Sequence, residues 1–554
     1  MNKPLLLSLA AAALLGTSLN AESMYEKFQA MELQMQEMKK EIATLKAQDT
    51  DADAEVDSEE EVEADEAETS DDTEEEQDDK DESADEESED DEDDSEDDDE
   101  NEEEEEMDVE EEIRDMQESI SDINKATNGN SLKLGVDYRF AVDNMQYKMA
   151  NGDEHGNDAF MTNRLWINMN WAATKNLSFT GQLAYNKAFG QRSTSNTGYN
   201  FETFDWIANE NAYDDVVRVR SAYFLYRNDT FFGSSVPWTF SVGRRPSTNG
   251  HLVSLRDDDK PASPMGHTIN VEFDGLSSKF SFDKWVDGMY IKLCAGRGMS
   301  NAAQKFSSAP YSNSNTANPD IDLLGLIFVP YNNGQYGLAT QYYYANNLID
   351  QQFSAMGVPQ NSFDTVGGLH SFTANFTVNG IGDEINDYLD DTFFFVSGAV
   401  SRTDPKDRGA QTGMLGSAEA QNGYSAWAGI QMPSFMTEDG RWGVEYNYGS
   451  KYWRSITYGE DTNIGSKLAT RGSAYEAYFT EYLVEDILSL QIRYTYIDYE
   501  YSGSNGFFGN TTGNSMSISD IQAGAAAGNP QMIGMASQVV DTAQDIRFYL
   551  RYKY

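Results

Sequence analysis

The sequence predicts an all-β, antiparallel transmembrane barrel of about 16 strands, preceded by a short α-helical coiled coil and a disordered acidic segment. Three observations carry this prediction. Near the end of the chain large apolar residues alternate with mostly cationic ones, the chain begins with a secretory signal, and the gaps between alternating segments are long and short in turn. Alternation with a period of two places one set of side chains on each face of a strand. Counts of 14 or 18 strands fit the pattern as well, because strand boundaries are uncertain by a few residues.

Residues 1–21 have the composition of a secretory signal peptide, which removes the chain from the cytoplasm. Lys3 supplies the positive start, residues 5–15 form a short apolar run, and Ala21 is a plausible last residue of the signal. The run is too short to cross a bilayer as a helix. Mean hydropathy of the chain is −0.63, and no longer apolar run follows, which excludes a helical membrane protein. The apolar side of a barrel strand occupies only alternate residues and escapes such averages.

Residues 22–48 predict a coiled coil, because apolar residues are spaced four and three in turn. The predicted core positions are Phe28, Met31, Met35, Met38, Ile42 and Leu45. About three heptads make a helix that is marginal alone, so we expect it to self-associate. An amphipathic helix packed on its own barrel, or on another partner, is the alternative. A second, shorter heptad predicts another helix or coil over residues 109–126.

Residues 49–108 predict a disordered acidic linker. Between Asp49 and Glu112 there are 44 acidic residues among 64, and Lys80 is the one base. With so little apolar surface to bury, this tract is expected to stay unfolded and extended. It serves as a solvated spacer or, alternatively, as a diffuse reservoir for Ca²⁺ or Mg²⁺, whose preferred ligands are carboxylate oxygens. No other cofactor is predicted.

Residues 131–554 predict the barrel. The strands are expected at residues 131–143, 160–174, 177–189, 216–227, 238–245, 269–281, 288–297, 321–329, 335–346, 367–378, 391–402, 422–432, 441–451, 473–483, 488–501 and 542–554. A soluble sandwich also alternates. Here, however, the gaps after odd-numbered strands are long and those after even-numbered strands are short. Short turns at one end and long loops at the other are typical of outer-membrane barrels.

The last strand resembles the closing strand of bacterial outer-membrane β-barrels. Its apolar positions are Ile546, Phe548, Leu550, Tyr552 and Tyr554. In that family a terminal aromatic residue belongs to the signal that the barrel-assembly machinery reads, and Tyr554 replaces the usual Phe. The resemblance implies insertion into outer-membrane lipid, with the N-terminal segment in the periplasm. A 16-strand barrel is wide enough for an aqueous lumen. Because no plug domain is evident, the barrel resembles general and substrate-selective porins.

The third long loop, residues 246–268, is the most distinctive part of the predicted barrel. In porins the third loop narrows the pore, and the Arg-Arg-Pro segment here resembles one in an uncharacterised family of porin-like proteins with an N-terminal coil. Opposed charges at a constriction would create a transverse field. The candidate residues are Arg244, Arg245, Arg256, Asp257, Asp258 and Asp259. An exposed surface loop is the alternative.

Further basic residues alternate with apolar ones and are expected to face the lumen. They are Arg164, Arg218, Arg220 and Arg493. They form either a ladder for anions or ordinary polar lining, and the sign of any selectivity stays open. Cys294 is the only thiol, which rules out an internal disulfide, and it reads as a small apolar strand residue.

Enzymatic activity is not expected. The four histidines, His155, His251, His267 and His370, have no nucleophile motif beside them, whereas barrel hydrolases need a nucleophile paired with a base. No metal site and no nucleic-acid-binding patch is predicted.

Two functions fit the sequence. The first is a porin-like channel for passive diffusion of small hydrophilic solutes or ions, as a homo-oligomer and, by resemblance to porins, a trimer. The second is a structural tether between the outer membrane and the cell wall, with little or no transport, in which the coil and the charged spacer reach across the periplasm.

Overall fold

The barrel is seen in a computed structural model, which describes residues 132–190, 216–260, 262–300, 320–353, 359–382, 385–406, 413–457, 460–503 and 515–554. The predicted signal peptide (1–21), coiled coil (22–48), acidic linker (49–108) and second helix (109–126) lie outside the described residues.

Sixteen strands form the wall of the barrel. They are β1 (Lys133–Met149), β2 (Glu154–Thr174), β3 (Leu177–Ala188), β4 (Arg218–Asn228), β5 (Trp238–Ser247), β6 (Val271–Ser281), β7 (Tyr290–Met299), β8 (Ile321–Asn332), β9 (Tyr336–Phe353), β10 (Pro359–Asn379), β11 (Phe393–Pro405), β12 (Asn422–Pro433), β13 (Arg441–Gly449), β14 (Gly472–Val484), β15 (Leu488–Tyr499) and β16 (Val540–Lys553). Each strand pairs with its neighbours in sequence, and β1 closes the barrel on β16. That closing pair is antiparallel, with Phe140 opposite Leu550. The predicted closed antiparallel barrel of 16 strands is confirmed.

Alternation along each strand separates an apolar outer face from a polar inner face. On β1, Leu134 is 64% exposed and Asp137 is 3% exposed; on β16, Ile546 is 53% exposed and Arg547 is 1% exposed. The inner residues are buried because other parts of the chain cover them, whereas the outer ones face away from the protein. Exposed apolar residues recur on the outer face of most strands, which is more apolar surface than a soluble monomer leaves uncovered. No helix in the described part of the chain is both long and apolar enough to cross a bilayer.

The sequence analysis predicted long loops after β1 and β9, and both predictions are wrong. β1 continues to Met149 and β2 begins at Glu154, so residues 150–153 alone connect them. Lys148 stands opposite Glu154 in this extension. Likewise β9 reaches Phe353 and β10 begins at Pro359. In the extension of β1 and β2, exposed polar residues such as Lys148 and Glu154 take the place of the apolar outward ones, and the period-two signal therefore fades before the strands end.

The two ends of the barrel differ. The end where β1 begins and β16 finishes, here called the terminal mouth, carries the connections that follow even-numbered strands. The opposite end, the loop mouth, carries L3 (residues 248–270), L7 (450–471) and L8 (500–539). The helices of the described residues are all short: α1 (Val253–Arg256) in L3, α2 (Asp387–Asp390) at the terminal mouth, and α3 (Ile518–Ala526) and α4 (Pro530–Ala536) in L8.

L8 packs on the loop mouth through α3 and α4. Ser517 caps α3 by accepting from the backbone N–H of Asp520, and Asn529 with Pro530 begins α4, as helix starts require. Ile521 and Ala536 are fully buried in a cluster that includes Ile497 of β15. Burial of this apolar stripe holds the helices against the wall.

Part of the barrel interior is an apolar core. A cluster around Val271, Tyr343 and Leu369 fills the side formed by β6 to β10 and also takes in Ile456 of L7. L7 therefore lies inside the barrel as well as L3, and the sequence analysis predicted an inward path for the third loop alone.

Candidate functional site

L3 crosses the lumen from β5 and β6 to the far wall. Gln431 on β12 donates to the carbonyl oxygen of Leu255 at 3.1 Å, and Gln491 on β15 donates to that of Arg256 at 2.8 Å. Beside Gln431 on the same far wall, Leu252 and Val253 pack with Phe395 of β11 in a buried cluster. These contacts join strands far apart around the barrel, so the loop spans the interior rather than lying on the surface.

The acidic tip of L3 reaches the terminal mouth. Tyr549 donates to Asp257 at 2.9 Å. Asp258 forms an ion pair with Arg441, the first residue of β13, at 3.2 Å. Asp259 binds Arg551 at 2.9 Å and Lys553 at 2.7 Å. Each of the three carboxylates of the tip therefore has a cationic or hydroxyl partner on the wall.

A first group of buried charges is centred on Asp461 of L7. This carboxylate binds Arg139 of β1 through both guanidinium Nη atoms and Arg547 of β16 at 3.1 Å, and it lies 3.9 Å from Arg493 of β15. Arg547 also binds Asp143 at 2.5 Å. L7 is thus fastened to the seam where the barrel closes.

A second group of buried charges joins L3, L7 and the wall. Glu445 and Glu476 stand directly opposite each other on β13 and β14. Lys467 of L7 donates to Glu445 at 2.6 Å and to Glu476 at 2.5 Å. Arg256 of α1 adds a bond of 3.0 Å to Glu476. Two like charges that would repel across strands are therefore neutralised by cations from two loops.

Two neighbouring carboxyls of L7, Glu460 and Asp461, have pKa values that are shifted in opposite directions. Burial alone would raise the pKa of Asp461, but Arg139 and Arg547 together hold that pKa well below its usual range. For Glu460, burial outweighs the attraction of Lys467 and Arg256, and the pKa is raised. Asp461 is therefore a fixed anion, whereas Glu460 takes up a proton more readily.

The predicted basic residues of the wall have acidic or aromatic neighbours. Arg164 lies 3.6 Å from Asp137, with its guanidinium carbon 3.5 Å from the ring centroid of Trp166. Arg220 and Arg244 both reach Glu272, at 3.3 and 3.2 Å. Arg218 is half-buried on β4. Together with Arg493 beside Asp461, these contacts make the predicted ladder largely neutral.

Arg245 is the exception among the predicted cations. Its guanidinium donates to Ser241 at 2.6 Å and lies over the ring of Tyr223. No ion pair links Arg245 to a carboxylate of the described residues.

Several interior charges were not among the predicted site residues. They are Asp137, Asp143, Glu445, Glu460, Asp461, Lys467 and Glu476. Asp137, Asp143, Glu445 and Glu476 occupy strand positions between outward apolar residues, so alternation could have assigned them to the lumen. Glu460, Asp461 and Lys467 belong to L7, for which periodicity offers no signal.

A water-accessible cavity of about 780 Å³ opens at the terminal mouth. Leu255 and Asp258 of L3 form part of its lining, and Arg441 contributes a cation. Its other charged residues are Asp390, Asp391, Glu438, Asp439, Glu485 and Asp486. We call this space the acidic vestibule; solvent in it reaches L3 through a strongly negative surface.

Of the four histidines, His267 lies in the interior of the barrel as part of L3. His267 lies buried between Ser397 and Ser425, at 2.8 and 2.9 Å from their hydroxyl oxygens. Burial lowers its pKa to about 3, so the ring is neutral and serves as a hydrogen-bonded packing element between Trp427 and Trp453. No group of three or more His, Cys, Asp or Glu side chains in the described ranges is placed to hold a metal ion.

A family model described as a protein of unknown function (DUF3373) matches residues 154–554. The chain belongs to this family. The match covers β2 to β16 and leaves out the N-terminal segments. No match to a curated protein sequence was found.

Similar solved structures are outer-membrane barrels and porins. OprB of Pseudomonas putida is 11% identical over 79% of this chain and 97% of its own, with a TM-score of 0.41. OmpF of Salmonella typhi, in complex with daunomycin, is 12% identical over 77% and 99%, with a TM-score of 0.41. An anion-selective porin from Comamonas acidovorans is 10% identical over 77% and 100%, with a TM-score of 0.40.

Proposed function

We propose that this protein is a porin-like channel of the bacterial outer membrane for passive diffusion of small hydrophilic solutes or ions. The observation that carries the proposal is the position of L3, which crosses a polar lumen inside a closed barrel and ends in carboxylates beside wall cations. A charged segment in this place narrows the path for solutes and leaves it polar.

The outer face supports the membrane location. Leu293, Val396, Val444 and Ile492 are exposed apolar residues in the middle of β7, β11, β13 and β15, and such a band needs lipid around it. The predicted signal peptide sends the chain to the envelope. We place the terminal mouth on the periplasmic side because short connections lie on that side in outer-membrane barrels.

The closing strand fits the proposed assembly signal. Ile546 and Tyr552 point outward, and Tyr554 is 78% exposed at the end of β16. Phe548 and Leu550 belong to the same face. An accessible apolar row at the barrel seam is a surface that the assembly machinery can bind before closure.

The acidic vestibule should bias ion flow. Six carboxylates in the connections around the terminal mouth raise the local concentration of cations. We expect a preference for cations at this mouth, measured as the reversal potential in a salt gradient. Neutralising Glu438, Asp439, Glu485 and Asp486 to their amides should shift that potential toward anions.

Planar-bilayer recording of the purified full chain tests the channel. We expect steady open-channel steps. Their absence, with protein shown to be folded by its heat-dependent electrophoretic mobility, would refute the proposal. Neither an enzymatic activity nor a resident cofactor is part of it.

We infer further that the channel is a homo-oligomer, with a trimer favoured by resemblance to porins. Sedimentation of the detergent-solubilised full chain and of a chain lacking residues 22–48 would show whether the predicted coil holds the copies together.

The structural tether is the second candidate. The tether is favoured by the buried ion pairs that fasten L3 and L7 to the wall, because a barrel with a purely structural role would also need rigidly held loops. Removing residues 22–126 should weaken the envelope if the tether is real, and an envelope of unchanged strength would rule it out.

A further inference from the structure

Two lysines face each other directly on the inner side of the barrel wall. Lys279 on β6 is the cross-strand partner of Lys292 on β7, and Ser277 and Cys294 form the next pair on the same face. Leu276, which is next to Ser277, and Leu293, which is next to Lys292, are exposed on the outer face. Because side chains alternate between the faces of a strand, both lysines point inward. Like charges directly opposite in a sheet destabilise it.

No carboxylate of the described residues lies within ion-pair distance of this lysine pair or of nearby Arg245. Lys292 donates to Ser263 of L3 at 2.5 Å, and the Lys279 ammonium lies 4.1 Å from the ring centroid of Tyr290. Asp283 acts on Lys279 only from beyond 4.0 Å. Lys292 is within electrostatic reach of both Lys279 and Arg245, so three cations share one region.

The opposite side of the same barrel shows how such a conflict is resolved. Glu445 and Glu476 are also directly opposite, and Lys467 bridges both carboxylates. The lysine pair lacks the corresponding bridge from the described part of the chain. An anion from solution held beside Lys292 would supply it.

The space for such an anion is present. A cavity of about 40 Å³ is lined by Arg245 and Lys292, by Ser263, Ser277 and Gln341, and on its other sides by apolar residues such as Phe273 and Ile327. Lys279 lies outside this lining, opposite Lys292 on the neighbouring strand. This volume exceeds what one water-sized particle needs. Ammonium, guanidinium and hydroxyl groups are the donors that bind anions most strongly.

We propose that Arg245 and Lys292 bind a small anion in this cavity, with Lys279, opposite Lys292, adding positive charge beside it and Ser263 bringing L3 into the site. The anion replaces the missing carboxylate between β6 and β7. The site goes beyond the proposed function and does not depend on it, because binding can be measured whether or not the barrel conducts.

Calorimetric titration of the full chain in detergent, at constant ionic strength, tests the site with sodium bromide and sodium phosphate as separate probes. We expect saturable binding of at least one probe with one anion per chain. The affinity should fall at least tenfold in Lys279→Met/Lys292→Met and stay within twofold in Lys279→Arg/Lys292→Arg. Binding of bromide alone locates the anion in the small cavity, whereas binding of phosphate as well places it on the lumen side of the lysines.

Lys148→Met is the matched control. Lys148 pairs with Asp541 at 3.5 Å and is half-exposed near the loop mouth, so its loss removes the same charge elsewhere. Absence of saturable heat with both probes, or an equal loss of affinity in Lys148→Met, would overturn the site.

Lys279→Glu provides a second test that does not require the double variant to fold. A glutamate at this position would pair with Lys292 and replace the anion from within the chain. We expect this variant to melt at a higher temperature than the wild type in anion-poor buffer. Added bromide or phosphate should raise the melting temperature of the wild type, as a ligand of the folded state does, and leave that of Lys279→Glu unchanged. A variant that melts lower and still responds to the anion would contradict the proposal.

Discussion

At the scale of single residues, Asp461 has the largest consequences. One carboxylate from a loop binds Arg139 and Arg547 and lies near Arg493, all of them buried. Without it, three cations inside the barrel would lose their common counter-charge. A buried charge without a partner costs far more than an exposed one.

We therefore expect Asp461→Asn to lower the free energy of unfolding by about 3–5 kcal/mol, the usual cost of breaking a buried ion pair. Unfolding in urea from lipid vesicles measures it. Asp322→Asn is the control, because Asp322 pairs with Arg297 at the surface and such pairs contribute about 0–1 kcal/mol. Equal losses of unfolding free energy in the two variants would show that Asp461 is not the shared counter-charge of the buried arginines.

The lowered pKa of Asp461 also predicts how stability depends on pH. A carboxyl whose pKa is lower in the folded state stabilises the protein above its unfolded pKa, which is ordinarily 3.8 for Asp, and this contribution is lost as pH falls toward the folded value. The raised pKa of Glu460 acts in the opposite sense.

Unfolding free energy should thus decrease below about pH 4 in the wild type, with a clearly smaller decrease in Asp461→Asn. Urea unfolding at several pH values between 2 and 7 provides the comparison. Parallel curves for the two proteins would argue against the assigned pKa.

At the scale of elements, L3 is the segment that we propose as the constriction of the lumen. It is held by backbone acceptors at Leu255 and Arg256 and by its three tip carboxylates. These contacts come from β12 to β16, so the loop is fixed at its far end as well as at its roots.

Deleting residues 253–260, which comprise α1 and the tip, should raise single-channel conductance several-fold, because the segment that crosses the lumen is removed. Planar-bilayer recording is the measurement, with heat-dependent electrophoretic mobility as the check on folding. A folded deletion variant with wild-type conductance would show that L3 is not the constriction.

At the scale of the whole molecule, the outer apolar belt decides the environment of the protein. Leu293 is 50% exposed in the middle of β7 and Phe232 is 95% exposed in the connection after β4. The first is in the belt, and the second is at the terminal mouth.

Leu293→Arg should destabilise the lipid-embedded protein by about 2–4 kcal/mol, the cost of arginine near the bilayer midplane of a barrel, whereas Phe232→Arg should change stability by less than about 1 kcal/mol. Reversible unfolding from vesicles measures both. Similar small effects for the two substitutions would mean that Leu293 does not face lipid.

The sequence by itself determined that the wall is a closed antiparallel barrel of about 16 strands and which face of a strand is apolar; the structure decided between 14, 16 and 18. This was possible because outward residues such as Leu134 and Ile546 must be apolar wherever the strand crosses the belt, and a period of two is visible in the chain. In the extensions of β1 and β2 that requirement no longer holds, and the strand ends there were not predicted.

Only the tertiary structure decided what fills the barrel. Alternation assigns Glu445, Glu476, Lys279 and Lys292 to the lumen, but which of them meet a counter-charge depends on where L3 and L7 fold. Lys467 and Asp461 are far from their partners along the chain, and loops have no periodicity from which their path can be read. Electrostatic pairing between distant segments is settled by three-dimensional proximity, which local sequence pattern does not contain.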